Sequence, residues 1–211
     1  FDVNALVDNV CEMQRGPMAD RGIRFELSRT VEHPWLRGDE VRLSQVLMNI
    51  LSNAVKFTPE DGRITMKVHE AVYASGNEAV LTVSIADTGC GMTKEFAEHV
   101  FDAFTQERNR NSDSQKGTGL GMSIVAQLVK KMNGTIQVES TVGEGSSFTV
   151  VLPFAIDHDP PAAAEKTPPA GDLRGKRLLV VEDNELNMEI AEFILKSTGA
   201  EVVPVFDGES A

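Results

Sequence analysis

The chain has 211 residues, of which 41% are apolar and 25% are charged. This is an ordinary globular composition, and it excludes a fibrous or wholly disordered chain. The 32 acidic residues outnumber the 20 basic ones and leave a formal net charge of −12, which disfavours general binding to nucleic acid or to an anionic membrane surface. No apolar run approaches the roughly 18 residues that cross a bilayer, so we expect no membrane insertion of this segment.

The spacing of apolar residues predicts a mixture of helices and strands before residue 157. Asp2 is placed to cap a first helix, and Asn133-Gly134 is placed to end a later one. Helices and antiparallel, hairpin-like strands in this mixture predict a two-layer α+β sandwich. The later helices are predicted at 41–57 and 121–132, and the strands around 23–27, 64–68, 81–85, 136–138 and 148–152.

The predicted helix 41–57 carries a polar stripe in which asparagine is prominent. Arg42, Gln45, Asn49, Asn53 and Lys56 fall within an arc of about 80° on a helical projection. A solvated helix face is one interpretation, but such a face normally uses Glu, Lys or Gln because Asn is a poor helix former. The functional interpretation is that the Asn oxygens face a hydrated divalent cation while the Lys faces phosphate.

A glycine-rich turn follows the strand that ends at Ala86. Asp87 offers a carboxylate at the strand end, and Gly89 and Gly91 permit positive φ and close backbone approach. A carboxylate in this place can accept a hydrogen bond from the exocyclic amino group of an adenine that lies against the turn. The alternative is a tight surface turn capped by an Asx hydrogen bond.

A second glycine cluster, residues 116–121, precedes the helix 121–132. Glycines at a helix start expose N–H donors in one direction, which is typical of a phosphate-binding loop; a flexible hinge is the alternative. Between the two clusters, Phe101 and Phe104 lead into a polar stretch without periodicity, and such loops are usually functional lids or disordered. We expect both phenylalanines to lie in the core.

Residues 157–175 mark a break in composition. They contain four of the nine prolines and almost no large apolar side chain, so we expect a semi-extended linker between residues 1–156 and 176–211. The tail after it begins with a predicted buried strand that ends at Glu182 and Asp183. A predicted helix and a second strand through Val205 follow.

Together and in this order, these motifs resemble the boxes of sensor histidine kinases. Asn49-Ile-Leu-Ser-Asn53-Ala-Val-Lys56-Phe57-Thr58 is similar to their N box, and Asp87-Thr-Gly-Cys-Gly91 is similar to their G1 box. Phe101-Asp-Ala-Phe104 is similar to the F box, and Gly117-Thr-Gly119-Leu-Gly121 is similar to the G2 box. The turn at 143–148 and the Leu152-Pro153 ending also match. The resemblance covers residues 1–156 and implies the GHKL-type ATP-binding α/β sandwich of a kinase catalytic domain.

The resemblance also implies that the chain binds ATP with Mg²⁺. Asn53 would be the Mg²⁺ ligand, Asn49 and Lys56 would be catalytic residues beside the phosphates, and Asp87 would bind adenine. Residues 105–116 would form the ATP lid. The other residues implied to contact ATP are Gly89, Gly91, Met92, Phe104, Lys116, Gly117, Thr118, Gly119, Leu120 and Gly121. Cys90 and Lys116 depart from the family pattern, where Pro or an apolar residue and Gly, respectively, are commoner.

The tail resembles the start of a response-regulator receiver domain, a flavodoxin-like βαβ unit in which Glu182 and Asp183 would bind Mg²⁺. Another doubly wound fold is the alternative. A receiver-like segment that follows a kinase-like domain implies a hybrid histidine kinase. Because the chain begins without an initiator Met and ends before the strand that would carry the receiver's phosphoacceptor Asp, we expect a segment of a longer protein. We expect this segment to be cytoplasmic, even if the parent protein is anchored in a membrane.

The phosphoacceptor in this family is a histidine on a dimerisation domain, and no such H box is present here. The implied partners are therefore that domain of the same parent protein and a downstream receiver or phosphotransfer domain. ATP-hydrolysing machines of the same fold carry a Glu at the position of Asn49, and an amide cannot accept a proton at neutral pH, which disfavours hydrolysis. A non-catalytic nucleotide-binding module is the other alternative that the sequence leaves open. The histidines expected at the surface are His33, His69, His99 and His158.

Residues 176–211 are fewer than the roughly 40 below which a chain usually needs disulfides, metals or partners to fold. Limited proteolysis should therefore cut within 157–175, degrade the tail quickly and leave a stable fragment that ends near Phe154 and still binds nucleotide. Mass spectrometry of the digest locates the cuts. A tail that resists protease as well as residues 1–156 do, with slow amide exchange at 178–181, would contradict this expectation.

Overall fold

The computed structural model describes residues 1–74, 76–102, 105, 121–159, 176–181 and 201–205. The chain divides into two compact units, Phe1–Asp159 and Pro160–Ala211. In the first unit, the described elements in chain order are α1 (Val3–Asp20), β1 (Arg24–Thr30), β2 (Leu36–Arg37), α2 (Glu40–Phe57), β3 (Arg63–Val72), β4 (Glu78–Asp87), α3 (Lys94–His99), α4 (Gly121–Lys131), β5 (Thr135–Thr141) and β6 (Gly145–Ile156). Among the described residues, no helix is both long and apolar enough to cross a membrane.

The strands of the first unit form one mixed sheet in the order β1-β3-β4-β6-β2, and β5 also pairs with β6. Strand β6 is long enough to hold β5 against its first half and β2 against its last two residues. All pairs are antiparallel except β1 with β3. The β1–β3 pair is parallel because the long connection through α2 returns the chain in the same direction, as parallel strands require.

One hydrophobic core joins the sheet to the helices and makes the two-layer α/β sandwich. Alternate residues of β3 and β4 face this core, and α2 contributes a complete apolar face to it. The polar stripe of α2 is therefore oriented away from the core by burial of the opposite face. The buried residues of α2 are Leu43, Val46, Leu47, Ile50, Leu51, Ala54 and Val55.

Two predicted helix ends are confirmed. The side chain of Asp2 accepts hydrogen bonds from the backbone N–H groups of Asn4 and Ala5 at the start of α1. Asn133 has a φ of +57°, and the N–H of Gly134 donates to the Val129 carbonyl at 2.9 Å, which closes α4 as a left-handed C-cap does. Strand β2 and helix α3 were not predicted, because two and six residues are too few to establish a period.

Glu70 is a carboxylate at a core-facing position of β3, with a side chain that is only 3% exposed. Its Oε2 accepts hydrogen bonds from the backbone N–H groups of Glu32 at 2.6 Å and His33 at 2.9 Å. The Nδ1 atom of His33 lies 3.3 Å from Oε1, and the His33 side chain is 40% exposed. His33 is thus a half-exposed residue that packs on a buried acid, rather than the plain surface histidine that was expected.

The described residues of the second unit form a two-stranded parallel sheet of β7 (Arg177–Val181) and β8 (Glu201–Val205). Leu179 faces Val203 in this register. Both strands were predicted from the sequence. The predicted acidic pair, Glu182 and Asp183, and the predicted helix lie outside the described residues.

Candidate functional site

The polar stripe of α2 separates into two parts. Asp39 caps the helix by accepting the N–H of Arg42 at 3.0 Å and also pairs with the Arg42 guanidinium at 2.9 Å, so Arg42 serves the helix start. Lys56 lies 14 residues further along, which is about 21 Å at the helical rise. Only Asn49, Asn53 and Lys56 therefore belong to the half of the stripe that approaches the glycine-rich turn.

The three side chains of this half are partly exposed. The Asn49 amide nitrogen donates one of its two N–H groups to the Gln45 carbonyl at 2.9 Å, which orients the side chain and leaves the amide oxygen available as an acceptor. The Lys56 ammonium lies over the Phe57 ring at 5.1 Å from its centre. The stripe thus presents a neutral oxygen and a cation on one side of the last two turns of α2.

Asp87 ends β4 and begins the glycine-rich turn. Its Oδ1 accepts the N–H of Gly89 at 2.8 Å, and the N–H of Ser146 is a further donor to the carboxylate. The Asx hydrogen bond of the alternative interpretation is therefore present. A carboxylate has about four acceptor directions, so two N–H bonds leave capacity for another donor. Burial raises the pKa of Asp87 above its ordinary value of 3.8, and the two backbone hydrogen bonds offset part of that shift.

The glycine-rich turn lies directly against the end of α2. A Cβ atom on Gly89 would approach the Phe57 carbonyl oxygen to 2.7 Å, so only a glycine permits this contact. Thr88 joins the same turn to the start of β3, because its Oγ accepts the N–H of Arg63 at 2.9 Å. These contacts bring Asp87 next to the helix that carries Asn53 and Lys56.

The other end of the turn is held by the β5–β6 hairpin. Gly91 has a φ of +65°, and a Cβ atom there would lie 1.9 Å from the Thr141 carbonyl oxygen. The N–H of Gly143 donates to the Cys90 carbonyl at 2.8 Å. The turn is therefore fixed on both sides and presents a preformed surface.

Ser140 is a site residue that the sequence analysis missed. Its hydroxyl accepts the N–H of Met92 at 2.8 Å and lies 3.0 Å from the Gly145 carbonyl, to which it donates. The Ser146 hydroxyl lies 2.9 Å away. The two serines on either side of the Gly143–Gly145 turn were the available signal, but their link to Met92 spans 48 residues.

The start of α4 meets the stripe at Asn49. A Cβ atom on Gly121 would lie 3.3 Å from the Asn49 amide oxygen, so the helix start and the stripe are in contact. Phe101 packs edge-on against Phe148 with ring centres 6.4 Å apart. It is partly buried and lies against the core, rather than within it as expected. The remaining predicted ATP-contacting residues, Phe104, Lys116, Gly117, Thr118, Gly119 and Leu120, lie outside the described residues, as does the predicted lid apart from Thr105.

The structure thus brings together three of the predicted motifs: the last two turns of α2, the turn from Asp87 to Met92, and the first residue of α4. In the described ranges, no group of three or more His, Cys, Asp or Glu side chains converges as a metal site. Asn53 could contribute one amide oxygen, and amide oxygens suit Mg²⁺. One protein ligand is enough for a metal whose other ligands are oxygens of a bound polyphosphate.

Comparison with known proteins assigns the family. Residues 38–156 match the family model described as histidine kinase-, DNA gyrase B- and HSP90-like ATPase. The match covers more than half of the chain, and the chain belongs to this family. The sandwich has the fold of histidine kinase catalytic domains.

The similar curated proteins are sensor kinases. The chain is 35% identical over its whole length to sensor histidine kinase AruS of Pseudomonas aeruginosa and covers 21% of that protein. It is 38% identical over 169 residues, 80% of its length, to sensor histidine kinase GacS of Pseudomonas protegens, and covers 18% of it. The chain therefore spans about a fifth of the length of these relatives.

Two solved structures are similar at 28% identity. Full-length ShkA in complex with AMPPNP matches with a TM-score of 0.62 over 100% of this chain and 41% of that chain. The mycobacterial sensor histidine kinase MprB matches with a TM-score of 0.59 over 74% of this chain and 97% of that chain.

The raised pKa of Asp87 predicts a pH-dependent stability difference between the protein and an Asp87→Asn variant. Because the folded protein binds this proton more tightly than the unfolded chain, its free energy of unfolding falls as the pH rises from 3.8 through the raised pKa. Near neutral pH, Asp87→Asn should therefore be at least as stable as the parent, and its advantage should shrink towards acid. Urea unfolding at several pH values measures this.

The matched control is Glu139→Gln, which removes an exposed carboxylate from β5. It should show no such trend. An Asp87→Asn protein that is less stable than the parent at neutral pH, by the same amount at every pH, would contradict the assigned burial cost.

Proposed function

We propose that residues 1–156 are the ATP-binding catalytic domain of a hybrid sensor histidine kinase. The domain transfers the γ-phosphoryl group of ATP to a histidine on a dimerisation domain of the same parent protein. The observation that carries this proposal is the contact between the Asp87 turn and the end of α2 at Gly89, in a chain of this family. This contact brings the Asp87 carboxylate beside the helix that carries Asn53 and Lys56, which supports one shared nucleotide site.

Adenine recognition falls to the turn. The Asp87 carboxylate accepts the exocyclic amino group, and the turn at Gly89, Gly91 and Met92 supports the ring. Support comes from the anchoring of this turn at both ends, since a preformed surface loses little entropy when the base binds. The backbone N–H groups of Gly89 and Ser146 favour the ionised form of Asp87, which would act as a charge-assisted acceptor.

The phosphates lie along α2. Lys56 contacts a phosphate oxygen, Asn53 ligates Mg²⁺, and Asn49 is their polar neighbour beside Gly121. Mg²⁺ held by Asn53 would supply charge neutralisation at the phosphates. The protein itself contributes position and electrostatics, which are the main requirements of phosphoryl transfer.

Asn49 supports transfer rather than hydrolysis. Its amide cannot accept a proton from water at neutral pH, and its nitrogen is already engaged with the Gln45 carbonyl. Without a general base at this position, the domain does not activate water efficiently. ATP therefore remains bound for transfer to the incoming histidine rather than being hydrolysed.

The tail, residues 176–211, is the start of a receiver domain behind a linker at 157–175, with Glu182 and Asp183 as its Mg²⁺-binding acids. The parallel pairing of β7 with β8 supports this reading, as does the similarity to AruS over the whole chain. The parent protein then passes the phosphoryl group on to a receiver or phosphotransfer domain. This segment acts in the cytoplasm.

Binding assays on the 211-residue chain test the site directly. Asp87→Asn should weaken Mg·ATP binding by about 1.5–3 kcal/mol, because a charge-assisted hydrogen bond to the base is lost. Asn53→Ala should remove the dependence of ATP affinity on Mg²⁺. Calorimetry with and without Mg²⁺ measures both effects.

Matched controls are Glu139→Gln for the lost charge and Gln45→Ala for an amide on the same helix stripe, and both should bind as the parent does. Unchanged affinity in Asp87→Asn would refute the adenine assignment. Equal Mg²⁺ dependence in Asn53→Ala and the parent would refute the ligand role of Asn53.

Phosphotransfer separates a kinase domain from a hydrolytic or purely regulatory one. Incubated with γ-labelled ATP, the chain should remain unlabelled on its histidines, whereas addition of the parent's dimerisation domain should give an acid-labile, base-stable label on that domain. Asn49→Asp should not become an efficient ATPase. Labelling within the chain, at His33, His69, His99 or His158, would overturn the proposal, and so would transfer that fails although ATP binds.

A further inference from the structure

Arg21, the residue that follows α1, reaches the end of the helix that carries the stripe. Its guanidinium donates hydrogen bonds to the carbonyl oxygens of Val55, of Lys56 at 3.2 Å and of Thr58 at 2.5 Å. These carbonyls belong to the last turn of α2 and the residue after it. Nothing in the sequence motifs pointed to this contact, which spans 34 to 37 residues.

The electrostatics of this helix end make the contact important. The last carbonyls of a helix lack intrahelical partners and together carry roughly half a negative charge. Asn53 and Lys56 lie on the same last turns, so a polyphosphate bound there would meet an unfavourable helix end in a chain of net charge −12. The Arg21 guanidinium, which is always charged, satisfies these carbonyls and offsets their charge.

The backbone around Arg21 is fixed to the loop that follows α2. The N–H of Asp61 donates to the Arg21 carbonyl at 3.1 Å, and the N–H of Arg24 donates to the Gly62 carbonyl at 2.9 Å. Gly22 has a φ of +63°, and a Cβ atom there would lie 2.6 Å from the Asp61 carboxylate. These backbone contacts therefore fix the position of Arg21 and keep its guanidinium at the helix end.

The adenine side of the site touches the last turn of α2 at Phe57, but it also has two anchors of its own. The turn from Asp87 to Met92 is fixed by Thr88 to the start of β3 and by Ser140 to the β5–β6 hairpin, and neither contact involves Arg21. Loss of the guanidinium should therefore affect the phosphate side of the site and leave the adenine side in place.

We propose that Arg21 is a positioning residue for the phosphates of the bound nucleotide. It holds the last turn of α2 and cancels the negative end of that helix, so that Lys56 and Asn53 meet the polyphosphate in a neutral or positive field. This inference rests on the proposed ATP site.

The test compares Mg·AMPPNP with adenosine, which carries no phosphate, on the complete chain by NMR titration. Arg21→Gln should weaken Mg·AMPPNP binding about tenfold, the magnitude of a helix-end charge effect in a partly buried site, and should change adenosine binding by less than about twofold. Arg21→Lys keeps the charge but not the fork that reaches three carbonyls, so its loss should be intermediate. Arg24→Gln, which removes an exposed charge from β1, is the matched control and should bind both ligands as the parent does.

The outcomes separate this inference from the proposed function. A parent chain that binds neither ligand would refute both. A parent that binds Mg·AMPPNP, with an Arg21→Gln variant of unchanged affinity, would refute the role of Arg21 alone. An equal loss for adenosine and Mg·AMPPNP would show a merely structural role and would also overturn it. If Arg21→Gln does not fold, Arg21→Lys decides by the same comparison, with a loss selective for Mg·AMPPNP as the expected result.

Discussion

The close approach of Gly89 to the Phe57 carbonyl is the contact on which the rest of the site depends. It fixes the distance between the end of β4 and the end of α2, and thereby between a carboxylate and a helix face that the chain separates by about 30 residues. Any side chain at residue 89 would force the two apart. The Ser140 and Thr88 hydrogen bonds then hold the turn in that position from both sides.

A strongly acidic protein that binds a polyanion must supply positive potential locally. At the proposed site this potential comes from Lys56, from Mg²⁺ carried by the nucleotide, and from Arg21 at a helix end that would otherwise be negative. Asp87 adds negative charge, but in the proposed binding mode it lies on the adenine side, where a donor and not a phosphate would approach. The separation of these groups along the proposed site would give the nucleotide one favourable orientation.

The periodicity of the sequence was enough to predict α1, α2, α4 and most strands, because a buried face leaves a regular pattern. The two helix caps were predicted from the residue types at the helix ends. It did not predict β2 or α3, which are too short to show one, or the parallel pairing of β1, which depends on where a long connection returns. The resemblance of the motifs to those of histidine kinases implied that Asn49, Asn53, Lys56 and Asp87 belong to one ATP site. Arg21 and Ser140 were missed because their roles are contacts between residues 34 to 48 positions apart, and such contacts leave no local signal.

The central claim is that the turn and the helix face form one nucleotide site. Titration of the isotope-labelled chain with Mg·AMPPNP, followed by NMR, tests it most directly. The account predicts that the backbone amides of Gly89 and Met92 and the side-chain amides of Asn49 and Asn53 shift together, along one binding curve with a single dissociation constant. Shifts confined to one of these two segments, or separate curves for the two, would contradict it.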